Sequence, residues 1–173
     1  VACNGSQVPT VNFNGAVNGS VFHWTNDNPS IGLAASGNGN IPAFTGINTG
    51  SVAALAHIYV SPEANGCTGA TDTFTVKVNP SPAFTFSVNG SAMMHNETDT
   101  ICQATSTTFA ISGATPGFGF NMTFNNAPYA TGVVNANGGF SHTFISGGTP
   151  SNTTAGTYEL TLTDNVTGCS ASK

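Results

Sequence analysis

Apolar residues in this chain recur at every second position, in short runs broken by glycine, proline and asparagine. Thr73-Phe74-Thr75-Val76-Lys77-Val78 alternates cleanly. So do Ala83-Phe84-Thr85-Phe86-Ser87-Val88, Phe118-Gly119-Phe120-Asn121-Met122-Thr123-Phe124 and Thr157-Tyr158-Glu159-Leu160-Thr161-Leu162-Thr163. A period of two buries one face of a strand and wets the other. Residues 21–25, 52–60, 107–111 and 140–145 also read as strands. Turn signals such as Asn14-Gly15, Asn18-Gly19, Asn28-Pro29 and Gly147-Gly148 separate the runs. Residues 51–57 alone have helical character, and the segment is too short to carry a helix. Many short strands with frequent turns predict an all-β chain built of β-sandwiches.

The cysteines divide the chain in two. Cys3 and Cys67 lie 64 residues apart, and Cys102 and Cys169 lie 67 apart. The second member of each pair sits in similar text, Asn65-Gly66-Cys67-Thr68-Gly69 and Val166-Thr167-Gly168-Cys169-Ser170. Each first member opens a polar segment, Cys3-Asn4-Gly5-Ser6 and Cys102-Gln103-Ala104-Thr105-Ser106. This reads as a tandem duplication. Four cysteines permit three connectivities. The repeat favours Cys3–Cys67 and Cys102–Cys169, one disulfide per unit, each worth about 4 kcal/mol in the chain-entropy picture. Zinc-type or redox C-x-x-C spacing does not occur, and reduced core cysteines are the other reading. Val78-Asn79-Pro80-Ser81-Pro82-Ala83 has the stiffness of a Pro-rich spacer. It places the boundary near residue 80, with units at 1–80 and 81–173. Unit one has a strand after Cys67 but only two residues before Cys3; unit two has a strand before Cys102 but only four residues after Cys169. Each unit is therefore expected to lack a terminal strand, either omitted or supplied by a neighbouring copy.

Charge excludes several functions. Only 5% of residues are charged, against about 25% in an average soluble domain. Seven acids face two lysines and no arginine, for a formal net charge of −5. Such a chain has no means of neutralising a run of phosphates, so nucleic acid is excluded as a partner. It has no basic patch for anionic lipid and no apolar run long enough to span a membrane. The chain begins at Val1 without a signal peptide, which marks it as a processed product or part of something longer.

Cys3-Asn4-Gly5-Ser6, Phe22-His23-Trp24-Thr25-Asn26-Asp27-Asn28-Pro29, Ile31-Gly32-Leu33-Ala34-Ala35-Ser36-Gly37 and Asn40-Ile41-Pro42-Ala43-Phe44 share one pattern with Asn65-Gly66-Cys67 and Phe74-Thr75-Val76-Lys77-Val78-Asn79-Pro80. Together they resemble the PKD-like repeats of giant secreted proteins of Bacteroidota, over residues 1 to about 82. Thr100-Ile101-Cys102-Gln103, Ala155-Gly156-Thr157-Tyr158 and Thr163-Asp164-Asn165-Val166-Thr167-Gly168-Cys169 resemble, more loosely, the immunoglobulin-like repeat that neighbours them. The resemblance implies β-sandwich modules in series within an extracellular or cell-surface stalk, adhesin or filament, often ended by a type IX secretion sorting domain. The sorting domain has no counterpart in these residues, and the family brings no catalytic motif.

Sites of chemistry are sparse. His23, His57, His95 and His142 each lack a His or Cys partner at metal spacing. No nucleophile elbow, P-loop or dinucleotide fingerprint occurs, and no carboxylate pair stands out among seven acids. The chain reads as a non-enzyme without a cofactor. Asn26-Asp27-Asn28 and Asp164-Asn165 offer oxygens to calcium, but Asx residues make the same turns without metal. An isopeptide bond at Lys77 finds no counterpart in unit two, which has no interior lysine. Trp24 is read as packing on a disulfide or as an ordinary core aromatic. Seven N-x-[ST] sequons (Asn4, Asn18, Asn89, Asn96, Asn121, Asn152 and Asn165) are close to what this composition yields by chance. Asp99-Thr100-Ile101 matches the Asp-[Ser/Thr]-aliphatic O-glycosylation pattern of Bacteroidota, which makes Thr100 the glycosylation candidate.

The leading functional expectation is a segment of an extracellular filament or surface stalk, joined end to end with copies of itself in one chain or by strand exchange. The competing one is a carbohydrate-binding module contacting surface glycans, with Tyr129, Phe118 and Phe140 as candidate aromatics.

Overall fold

The computed structural model describes residues 1–94, 107–144 and 156–173. Its regular elements are strands, apart from one 3-10 turn at Pro29–Ile31. Residues 51–57 show no helix; the strand there begins at Ala54. Two compact units divide at Val1–Ser81 and Pro82–Lys173, within the Pro-Ser-Pro spacer.

Unit one contains β1 (Ala2–Cys3), β2 (Gln7–Val8), β3 (Val21–Asn26), β4 (Ser36–Asn38), β5 (Phe44–Thr45), β6 (Ala54–Ala64), β7 (Cys67–Thr68) and β8 (Asp72–Asn79). Its main sheet runs β1-β8-β6-β3-β4, with β7 also on β6; β2 and β5 form a second, two-stranded sheet. Alternation decides which face is buried. Ala56, Ile58 and Val60 of β6, Val76 and Val78 of β8 and Trp24 of β3 point inward, joining Ile31, Leu33 and Ile41 in one core. Fully burying an aliphatic side chain of this kind contributes about 1.5–3 kcal/mol. Gly37 of β4 lies against the Trp24 indole, so Trp24 is a core aromatic fitted to a glycine. The buried Asn48 side chain donates to Val52 O and Val78 O, each at 2.8 Å, and its Oδ1 accepts the Gly50 N–H at 3.0 Å. It ties the loop before β6 to the end of β8.

The Cys3–Cys67 pairing is overturned. Cys3 and Cys169 each take part in a disulfide, whereas Cys67 is an exposed free thiol. Register gives the reason. Ala2 pairs with Val78, which pairs with Ala54 at the start of β6, while Cys67 pairs with Ala64 at its end. Ten residues of strand, about 33 Å, separate the two ends, and a disulfide needs Cα atoms within about 7 Å. The text around Cys67 instead encodes a turn. Asn65 and Gly66 have φ of 52° and 76°, the left-handed pair that closes a tight hairpin between β6 and β7. Cys102, and with it the Cys102–Cys169 expectation, lies outside the described residues, as do Thr100 and His95.

Unit two contains β9 (Thr85–Val88), β10 (Ser91–Met93), β11 (Thr107–Ser112), β12 (Gly119–Phe124), β13 (Ala127–Val133), β14 (Phe140–Phe144), β15 (Tyr158–Thr163) and β16 (Ser170–Ser172). Two four-stranded antiparallel sheets form, β10-β9-β11-β14 and β13-β12-β15-β16. Their inward residues meet in a single core: Phe84, Phe86, Val88, Phe109 and Ile111 from one side, Phe120, Met122, Leu160 and Leu162 from the other.

β1 lies parallel on β8, and β16 pairs with β15. Leu160 and Lys173 exchange backbone hydrogen bonds of 2.8 and 2.9 Å beyond β16, and the Lys173 ammonium sits 5.5 Å from the Phe84 ring centre. These edge strands span two or three residues, too few to show alternation.

Candidate functional site

The outward face of the unit-one sheet carries two histidine–carboxylate pairs, His57–Asp27 and His23–Glu63. Directly opposed residues in a sheet project on the same side. Thr73 of β8 stands opposite Tyr59 of β6, Tyr59 opposite Thr25 of β3, and Thr25 opposite Ser36 of β4. Tyr59 is 42% exposed at the centre of this row. On one side of it lies His57, opposite Thr75; on the other lies His23, between Ser61 and Asn38.

Both imidazoles are held in place. His57 Nδ1 lies 2.8 Å from Asp27 Oδ2, and the His57 backbone N–H donates to Asp27 Oδ1 at 2.7 Å. These bonds from His57 hold the Asp27 carboxyl below the usual carboxylate range, the backbone donor contributing most. His23 Nδ1 lies 2.7 Å from Asn38 Oδ1, and its Nε2 is 3.2 Å from Glu63 Oε2. A shallow groove of about 330 Å³ adjoins this pair, lined by Gly19, Val21, His23, Glu63, Ala64 and Asn65.

The calcium candidates are occupied by protein partners. Asn26 donates to Leu33 O and Ala34 O and accepts the Asn28 N–H, closing its own turn. Asn28 donates to Leu55 O and accepts the Ser30 hydroxyl. Asp164 accepts the Val166 N–H at 2.9 Å and the Thr167 hydroxyl at 2.6 Å, and these bonds, the hydroxyl first, lower its pKa. Among the described residues, no three His, Cys, Asp or Glu side chains group to hold a metal. Lys77 lies on the outward face opposite Leu55.

The three aromatics named for carbohydrate contact pack inward instead. Phe118, Tyr129 and Phe140 are part-buried against the unit-two core. The Phe120 and Phe140 ring centres are 4.2 Å apart, and Tyr129 meets Tyr158 edge-on at 5.4 Å. Burial drives the phenol of Tyr129 far above its ordinary range and raises that of Tyr158 as well. Among the described residues the exposed aromatic is Tyr59, which residue type alone does not distinguish from a core tyrosine. The signal was its phase: it falls out of step with Ala56, Ile58 and Val60 on the same strand.

Fold and site define an all-β chain of two units that contains disulfide-bonded cysteine. Among the described residues no helix is long and apolar enough to cross a membrane. No protein-family model matches the chain, and no curated protein matches it in sequence.

Proposed function

We propose that this chain is a structural repeat segment of an extracellular filament or cell-surface stalk, without catalysis. In this reading unit one is a PKD-like β-sandwich, unit two an immunoglobulin-like one, and the parent is a large secreted surface protein of the kind the sequence resembles. The observation that carries the proposal is serial construction: two units, each with its own core, follow one another through Pro80-Ser81-Pro82. The outward faces support it. Their hydroxyls are tied to one another across strands, at 2.7 Å for Ser61–Thr71 and 2.8 Å for both Thr108–Thr143 and Thr161–Ser172. Surfaces of this kind stay solvated without charge and suit a spacer that must not adhere indiscriminately. Such a protein acts by length, transmitting tension through modules that join end to end with further copies.

Electron microscopy of native material is the test. An axial periodicity matching a two-unit repeat is the expected result. Discrete round particles with no periodicity would overturn the reading.

A further inference from the structure

We propose that the outward face of the unit-one sheet is a docking platform for a neutral polysaccharide, with Tyr59 as the stacking residue. The inference does not depend on the filament reading, since it concerns one face of one unit. Thr73, Tyr59, Thr25 and Ser36 form a continuous row across four strands. At a strand spacing of about 4.8 Å the row spans about 14 Å, the footprint of a di- or trisaccharide. Tyrosine offers an apolar ring face with a polar tip. Flanking it are hydroxyls on either side and two imidazoles whose orientation is set by Asp27, Asn38 and Glu63. An aromatic plate with a few fixed polar groups around it is the arrangement that recognises a pyranose. The plate meets the C–H face of the sugar while donors and acceptors meet its equatorial hydroxyls. With Nδ1 engaged by Asp27, the other ring nitrogen of His57, Nε2, remains for a sugar hydroxyl.

The occupant follows from charge and from the spread of apolar area. Asp27 and Glu63 stand on this face with Lys77 as its cation, so an acidic glycan or a phosphate ligand is not attracted. The other exposed apolar residues of the face, Val21 and Leu55, lie towards its opposite ends, with His23 and His57 between them and Tyr59. A protein partner would need a contiguous apolar centre, which this spacing does not provide. A β-1,4-linked chain of gluco-configured rings, flat and uncharged, matches both features.

The test is titration calorimetry on the full chain with cellohexaose, chitohexaose and oligogalacturonate as probes. Binding of at least one of the two neutral hexasaccharides is expected, weakened tenfold or more by Tyr59→Ala and less than threefold by Tyr59→Phe. Asp27→Asn, which releases His57, is expected to weaken binding several-fold. Trp24 fluorescence verifies that each variant is folded. Failure of both neutral probes to bind at 10 mM (roughly the weak limit of specific recognition) would overturn the proposal. So would binding that survives Tyr59→Ala in a folded variant, or binding of oligogalacturonate alone.

Discussion

Gly37 is the position where one added methyl group has the most legible consequence. A Cβ built there would lie 2.6 Å from Trp24 Cε2 and 2.9 Å from Cη2, and nearer still to Cζ2. The indole has no room to retreat, because Trp24 is 4% exposed and packed among Ile31, Leu33, Ile41 and Ile58. Overpacking of a filled core costs about 1–3 kcal/mol. Contact with a wedged ring places Gly37→Ala near the top of that range, less about 0.5–1 kcal/mol regained because alanine suits a strand better than glycine. The net expectation is about 2 kcal/mol, a fall in Tm of about 8–16 °C for a unit of this size. Trp24→Phe shortens the ring on the side that clashes and leaves a cavity, costing about 2 kcal/mol alone. In the double variant the methyl group occupies that cavity. The pair is therefore expected to be sub-additive by 1 kcal/mol or more. Urea unfolding followed by circular dichroism measures all four proteins. Fluorescence of Trp24, the one tryptophan of the chain, isolates unit one in the two that retain it. A Gly37→Ala protein within 0.5 kcal/mol of the parent (roughly the scatter of a neutral surface change), or a strictly additive double variant, would refute the packing argument.

Asn48→Leu is expected to cost about 2–4 kcal/mol in urea unfolding, because it strips partners from Val52 O, Val78 O and the Gly50 N–H together. A loss below 1 kcal/mol would show that these groups are satisfied without it. Asp27 and Asp164 have folded pKa values depressed below the unfolded one. Their stabilisation is thus complete above about pH 4 and is lost as pH falls below it, through the folded values. Acid titrations of stability should accordingly be shallower below pH 4 in Asp27→Asn and Asp164→Asn than in the parent; superimposable curves would contradict the assignment. Cys67 should react with a thiol reagent in the native protein, mapped by peptide mass, and Cys67→Ser should leave stability within about 0.5 kcal/mol. Recovery of a Cys3–Cys67 peptide would contradict the strand register.

The strands that face a core on one side were legible in the sequence. β8, β12 and β15 alternate because one face of each is buried, and residues 73–78 read as they pack. β13 was not, since it lies at a sheet edge with Pro128 and Gly132 inside it and little of either face covered. Hairpins closed by Asn89-Gly90 and by Asn125-Asn126, whose φ values of 48°, 85°, 50° and 65° make left-handed turns, were hidden among many asparagines. The Cys3–Cys67 reading went astray for a related reason. Similar words around Cys67 and Cys169 record similar turns, with Gly66 and Gly168 both left-handed, and turn chemistry says nothing about which sulfur lies opposite. The platform around Tyr59 was illegible because it is assembled from four strands whose register is fixed only by pairing.

The placement of Lys77 reaches beyond packing. Within residues 1–173 a digestive enzyme that cuts after basic residues finds one internal target, the bond from Lys77 to Val78. That bond runs through the interior of β8, laddered to β6, and Val78 is fully shielded from solvent. To be cleaved, the strand must first peel out of its sheet, so digestion by such enzymes waits on unfolding. Against enzymes of that specificity the chain would last as long as unit one stays closed.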